Sequence, residues 1–184
     1  IVKNALTANE ARKTLDLLWD YLENLGTGID RKNPLTWSDD RWPTCAHGGI
    51  IPSYGIGHSE AQWFVRGVPN VKKAFAKVWE TDDLLTSFDG VSLWRPWNID
   101  PSWKTQSGQA WFHIDQHPIS KPGKQCIQGL INLLPTSKEI GGNVVIPKSH
   151  NFFKDLPEEY KERVERLPLD IDHFRFPHDD PKLS

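Results

Sequence analysis

The side-chain period changes near residue 84 of this chain, and that change limits the folds open to it. Before it, Thr7-Ala8-Asn9-Glu10 matches a capping box, and Ala11, Leu15, Leu18, Leu22 and Leu25 follow at helical spacing until Gly26 offers a C-cap. The Gly-, Pro- and Ser-rich residues 27–57 read as a long connection. A short helix is expected around Glu60 to Arg66. A clearer one runs from Asn70 to Trp79, with Val71, Ala74, Phe75, Val78 and Trp79 on one face. After residue 84 the apolar, aromatic and β-branched residues fall in short runs bounded by Gly, Pro and Asp: 84–88, 91–95, 110–116, 125–134 and 143–147. These read as strands. A last helix is expected from Pro157 to Leu167, with Tyr160, Val164 and Leu167 along one side.

Helices first and strands afterwards imply an α+β, mainly β chain in which N-terminal helices cover one face of an antiparallel sheet or sandwich. A double-stranded β-helix, the jelly roll of cupin-like proteins, fits this order. The 184 residues are enough for one domain with a real core, residues 1–80 forming its mostly helical covering region. The formal net charge of -2, with both signs interspersed, leaves no basic stripe for nucleic acid. Cys45 and Cys126 lack CxxC spacing, so neither a disulfide framework nor a structural zinc site is indicated, and a reducing, cytoplasmic setting is expected. No apolar run approaches the roughly 20 residues of a membrane span, and the N-terminus lacks a signal-peptide pattern, so a soluble protein is expected. Methionine is absent even at position 1, which reads as a cut chain.

The chemistry centres on His113-Ile114-Asp115. In a strand, residues i and i+2 project from the same face, so an imidazole nitrogen and a carboxylate oxygen can close on one ion. That is two thirds of a 2-His-1-carboxylate site, the donor set that suits ferrous iron and leaves positions open for oxygen and a co-substrate. The ordinary reading is a surface His beside a loop-capping Asp, but the triplet ends an aromatic strand and Pro118 follows it, as at a functional rim. His117 continues the same face, yet on a straight strand it would stand about 13 Å from His113, too far to share an ion. His150 reads as structural or at the pocket rim, and His173 and His178 as solvated residues of a polar tail. Trp94, Trp97, Trp103 and Trp111 surround the triplet in sequence; packing is their ordinary role, and an apolar or ring-bearing substrate would suit them if they face a pocket.

Three blocks carry a resemblance: Trp111-Phe112-His113-Ile114-Asp115-Gln116, then Gln125-Cys126-Ile127-Gln128-Gly129-Leu130-Ile131-Asn132-Leu133, then Gly141-Gly142-Asn143-Val144-Val145-Ile146-Pro147-Lys148-Ser149-His150. In this order and spacing they resemble the phytanoyl-CoA dioxygenase family of iron(II)- and 2-oxoglutarate-dependent oxygenases, most strongly over residues 84–153, the first part of the family's jelly roll. Lys148 stands where relatives usually have Gly. The resemblance implies His113 and Asp115 as metal ligands and catalytic residues. It also implies Fe(II) and 2-oxoglutarate as cofactor and co-substrate, dioxygen, and hydroxylation of a small molecule, with a distal His and an Arg expected beyond Ser184. Asp115 fills the slot that related halogenases leave to chloride. Asn132 matches a position that tends to reach the co-substrate, and Gln128 shares its face by the period of two; buried amides satisfying the backbone are the other reading for both. The donor fork of Arg95 suits a carboxylate of substrate or 2-oxoglutarate, or else a structural pair with an Asp. Two other classes stay open: an inactive binding module of the same fold, and a cupin-like metalloenzyme that does not use 2-oxoglutarate.

Overall fold

The computed structural model describes residues 1–104, 112–137, 139–177 and 179–180. They fall into two compact units, Ile1–Ser107 with Ile131–Pro135, and Gly108–Leu130 with Thr136–Ser184.

The first unit is built on three helices. Helix α1, Ala8–Glu23, begins at Thr7 with a complete capping box, in which the Thr7 hydroxyl accepts from the Glu10 amide and the Glu10 carboxylate accepts from the Thr7 amide. It ends at Asn24 rather than at Gly26; Gly26 follows with φ 74°, in the left-handed turn that frees the chain from the helix axis. Leu18 and Leu22 are buried on α1, and Ala61 and Val65 on α2, Glu60–Gly67, against which it packs. Helix α3, Pro69–Trp79, follows after Val68, with Pro69 in its first turn, where a missing N–H costs nothing. Val71 is buried on it and Val78 is 46% exposed.

Leu22, Ile29 and Trp42 form the buried centre of the unit, surrounded by Trp19, Tyr21, Leu25, Trp37, Cys45 and Leu93. The three indoles of Trp19, Trp37 and Trp42 lie 5.1–6.3 Å apart in tilted and edge-on contacts. The connection over 27–57, though mostly exposed, therefore supplies Ile29, Trp37 and Trp42 to this core. A short antiparallel ladder closes it: β1, Ile50–Ile51, pairs with β2, Val91–Ser92.

In the second unit, β3, His113–Ile114, pairs antiparallel with β4, Phe174–Arg175, and the Phe176 amide donates to the Phe112 carbonyl at 3.1 Å. Behind β4 stand two short helices, α4, Leu156–Glu159, and α5, Lys161–Glu165. The sequence pattern suggests one helix from 157 to 167; the structure breaks it at Tyr160, whose φ of -118° and ψ of 35° are not helical. That break turns the Tyr160 ring edge-on to Phe174 and Phe176, each at 5.5 Å, while its hydroxyl donates to buried Asp180 at 2.5 Å. Burial and then the neighbouring Asp180 carboxylate push the Tyr160 hydroxyl well above its ordinary pKa of 10.0. Val164, Leu156 and Phe174 complete this core.

Among the described residues, the runs 84–88, 125–134 and 143–147 form no ladder of two or more paired residues, and 91–95 and 110–116 ladder over Val91–Ser92 and His113–Ile114. A strand needs a partner for its N–H and C=O groups, and Leu130, Leu134, Val144 and Val145 stand 51–66% exposed with no sheet against them. No helix of the described residues is long and apolar enough to cross a membrane.

Candidate functional site

His113 sits in β3, and the chain bends immediately after Ile114, so Asp115 leaves the strand at its end. The bend keeps the two side chains together: His113 Nε2 lies 3.6 Å from Asp115 Oδ1. Two donors each about 2.1 Å from one ion and at right angles to each other would be about 3 Å apart. A separation of 3.6 Å is therefore within a small rotation of a shared ion. Both side chains are partly open, 28% and 39% exposed, which leaves room for further ligands on the outer side.

The second oxygen of Asp115 is also engaged. Gln128 Nε2 donates to Asp115 Oδ2 at 2.9 Å. The sequence expectation that Gln128 reaches a co-substrate thus meets a different first contact, the candidate ligand itself.

The loop after Asp115 is held by its own side chains. Gln116 Nε2 donates to the carbonyls of Lys121 and Gly123, both at 2.6 Å, while the Lys121 amide returns to the His117 carbonyl at 3.1 Å. His117 is fully buried, and its Nδ1 accepts from the amides of Ile119 and Ser120, each at 3.1 Å. With Nδ1 an acceptor, the ring hydrogen is on Nε2, which has no hydrogen-bond partner among the described residues. His117 thus serves as a turn cap. Two further ties join this loop to the tail of the same unit: Lys121 Nζ to Asp172 Oδ1 at 2.5 Å and Ser120 Oγ to the Leu169 carbonyl at 3.2 Å.

The remaining candidates are placed elsewhere. Arg95 lies in the first unit, its side chain only 13% exposed. Its Nη1 donates to the Trp37 carbonyl at 2.6 Å and its Nη2 to Asp39 Oδ1 at 2.5 Å, and its guanidinium lies 4.6 Å and 5.6 Å from the ring centres of Trp103 and Trp42. This is the structural pairing with an Asp that the sequence offered beside the carboxylate-binding role. Asn132 is exposed in the segment Ile131–Pro135 of the first unit. His150 and His173 are exposed, and His178 and Trp111 lie outside the described residues. Trp94 packs over Gly49, and Trp97 is 41% exposed with Lys104 Nζ 5.0 Å from its ring. Among the described residues, no group of three or more His, Cys, Asp or Glu side chains is placed to hold a metal ion. The site as described is a two-donor arm, His113 and Asp115, with a fixed carboxylate.

Two proteins of known sequence share this chain's pattern. It is 33% identical over 176 residues, 96% of its length, to "Ava biosynthesis cluster protein O" of Aspergillus versicolor. It is 25% identical over 191 aligned positions, 84% of its length, to "Putative phytanoyl-CoA dioxygenase" of Dictyostelium discoideum. The chain spans about half of each relative, 55% and 53% respectively. No family model matches, and no solved structure matches. The second likeness bears out the resemblance to the phytanoyl-CoA dioxygenase family drawn from the three sequence blocks.

Proposed function

We propose that this chain, similar to a protein named "Putative phytanoyl-CoA dioxygenase", carries part of the active site of a non-haem Fe(II)/2-oxoglutarate-dependent dioxygenase that hydroxylates a small organic molecule. The observation that carries the proposal is the 3.6 Å approach of His113 Nε2 to Asp115 Oδ1 at the open end of a strand. The donors fit the metal in kind, one imidazole and one carboxylate, and in separation. His113 and Asp115 would hold Fe(II), with a third donor outside the described residues. The metal and 2-oxoglutarate would supply the oxidising chemistry, and the protein the open positions, orientation and exclusion of water.

Within that reading the residues divide the work. His113 is aligned by the β3–β4 ladder, and β4 is held in turn by the Tyr160, Phe174 and Phe176 rings. Asp115 is aimed by the bend after Ile114. The proposed frame is a jelly roll of which runs 84–153 form the first part. A small molecule as substrate is supported by the relative named for a biosynthesis cluster. The test is succinate release by the full-length protein, dependent on iron and 2-oxoglutarate. It should disappear in His113→Ala and in Asp115→Ala; activity that survives both changes would overturn the proposal.

A further inference from the structure

A monodentate carboxylate ligand has two equivalent oxygens and a freely rotating χ2, so an unrestrained Asp presents the wrong oxygen, or the wrong lone pair, much of the time. Asp115 does not have that freedom. Its Oδ1 faces His113 Nε2 at 3.6 Å while its Oδ2 accepts from Gln128 Nε2 at 2.9 Å, so the two oxygens have separate tasks. We propose that Gln128 is a positioning residue, whose side-chain amide pins Oδ2 of Asp115 and leaves Oδ1 turned toward His113 for the metal.

This inference rests on the metal reading of His113 and Asp115. The chemistry of the pair sets its direction. An ionised carboxylate can only accept, so the amide presents its nitrogen and not its oxygen to Asp115. A neutral donor suits the place, because it orients the carboxylate without cancelling the negative charge that attracts the ion, as Lys or Arg would. The loop between the two residues is closed on itself by Gln116 and His117, and both Asp115 and Gln128 belong to the same compact unit. Partners that orient a ligating side chain typically change metal affinity by about 10–100-fold when removed.

The experiment measures Mn(II) affinity of the full-length protein by calorimetry and the ligand-field spectrum of its Co(II) form, in wild type, Gln128→Leu and Gln125→Leu. Gln125 is the control because its amide donates to the Pro122 carbonyl at 3.0 Å on the same loop. Gln128→Leu should weaken Mn(II) binding by about tenfold or more and alter the Co(II) spectrum, while the unfolding temperature of the metal-free protein stays that of wild type. Gln125→Leu should change none of these. Wild-type affinity and spectrum in Gln128→Leu would overturn the inference, as would an equal loss in Gln125→Leu, which would mark a loop effect. Failure of the wild type to bind either metal would instead overturn the metal reading, and the inference with it.

Discussion

Replacing Arg95 with Met separates two roles for this residue, a brace of the first unit and a binder of a co-substrate carboxylate. The structural role has a magnitude. A hydrogen bond from a charged donor contributes about 1.5–3 kcal/mol, and the 2.6 Å bond to the Trp37 carbonyl is of this kind. The ion pair adds little, about 0–1 kcal/mol, because Asp39 is 82% exposed. Cation–π contact with Trp103 and Trp42 contributes about 0.5–1 kcal/mol each. Met retains the apolar stem but none of these, and the contributions overlap, so Arg95→Met should cost about 3 kcal/mol, against under about 1 kcal/mol for Asp39→Ala. Urea unfolding followed by Trp fluorescence reads both values, and a 2-oxoglutarate titration of the full-length protein is run alongside. Wild-type stability in Arg95→Met together with loss of 2-oxoglutarate binding would refute the reasoning and return Arg95 to the co-substrate.

Other expectations follow from single contacts. A Cβ on Gly90 would lie 2.3 Å from the Ile51 carbonyl oxygen, whereas one on Gly55, φ 72°, meets nothing within 4 Å. Gly90→Ala should therefore cost about 3 kcal/mol by forcing β1 and β2 apart, and Gly55→Ala about 1 kcal/mol from backbone strain alone, as read by thermal unfolding. Thr7→Ala should cost about 1 kcal/mol through loss of the α1 cap, seen as reduced helicity near the N-terminus by hydrogen exchange. The same cap has a pH signature: the Thr7 amide and hydroxyl hold the Glu10 carboxyl below 4.5, and Arg31 does the same for Glu23. Both lowered values stabilise the fold fully above about pH 4.5, and the stabilisation is lost as pH falls through the folded-state pKa values, so the unfolding temperature should drop there and drop less in Thr7→Ala. Burial raises the pKa of the Cys45 thiol above 9.0, whereas Cys126 is exposed, so iodoacetamide at neutral pH should label Cys126 first and the half-buried Cys45 more slowly.

What was legible in the sequence follows from how local each signal is. The capping box of α1 is written in four adjacent residues and forms as read, as do α2 and α3 to within a residue or two at their ends. Strands are different, because a run such as Asn143–Pro147 declares its preference but not its partner, and without a neighbour its backbone is not laddered. The His113–Asp115 pair was legible because spacing by two brings side chains to one side, and the bend after Ile114 preserves that closeness. A straight strand would set His117 on the face of His113; the chain turns before it, and its burial as a turn cap depends on backbone amides that no side-chain pattern displays. Period-two reasoning sets Gln128 on one strand face with Asn132, whereas among the described residues the run 125–134 forms no ladder, and the contact of Gln128 with Asp115 is one the pattern does not name. For Arg95 the residue type was informative and its target was not, since Trp37 and Asp39 are 58 and 56 positions away.

In the proposed function His113 and Asp115 hold a metal together with 2-oxoglutarate, and an anaerobic calorimetric titration of the full-length protein with Fe(II) and then 2-oxoglutarate tests this without knowledge of the substrate. One iron per chain is expected, with 2-oxoglutarate binding only to the iron-loaded protein and both steps lost in His113→Ala and Asp115→Ala. Stoichiometric binding of iron and 2-oxoglutarate that persists in the two variants would contradict it.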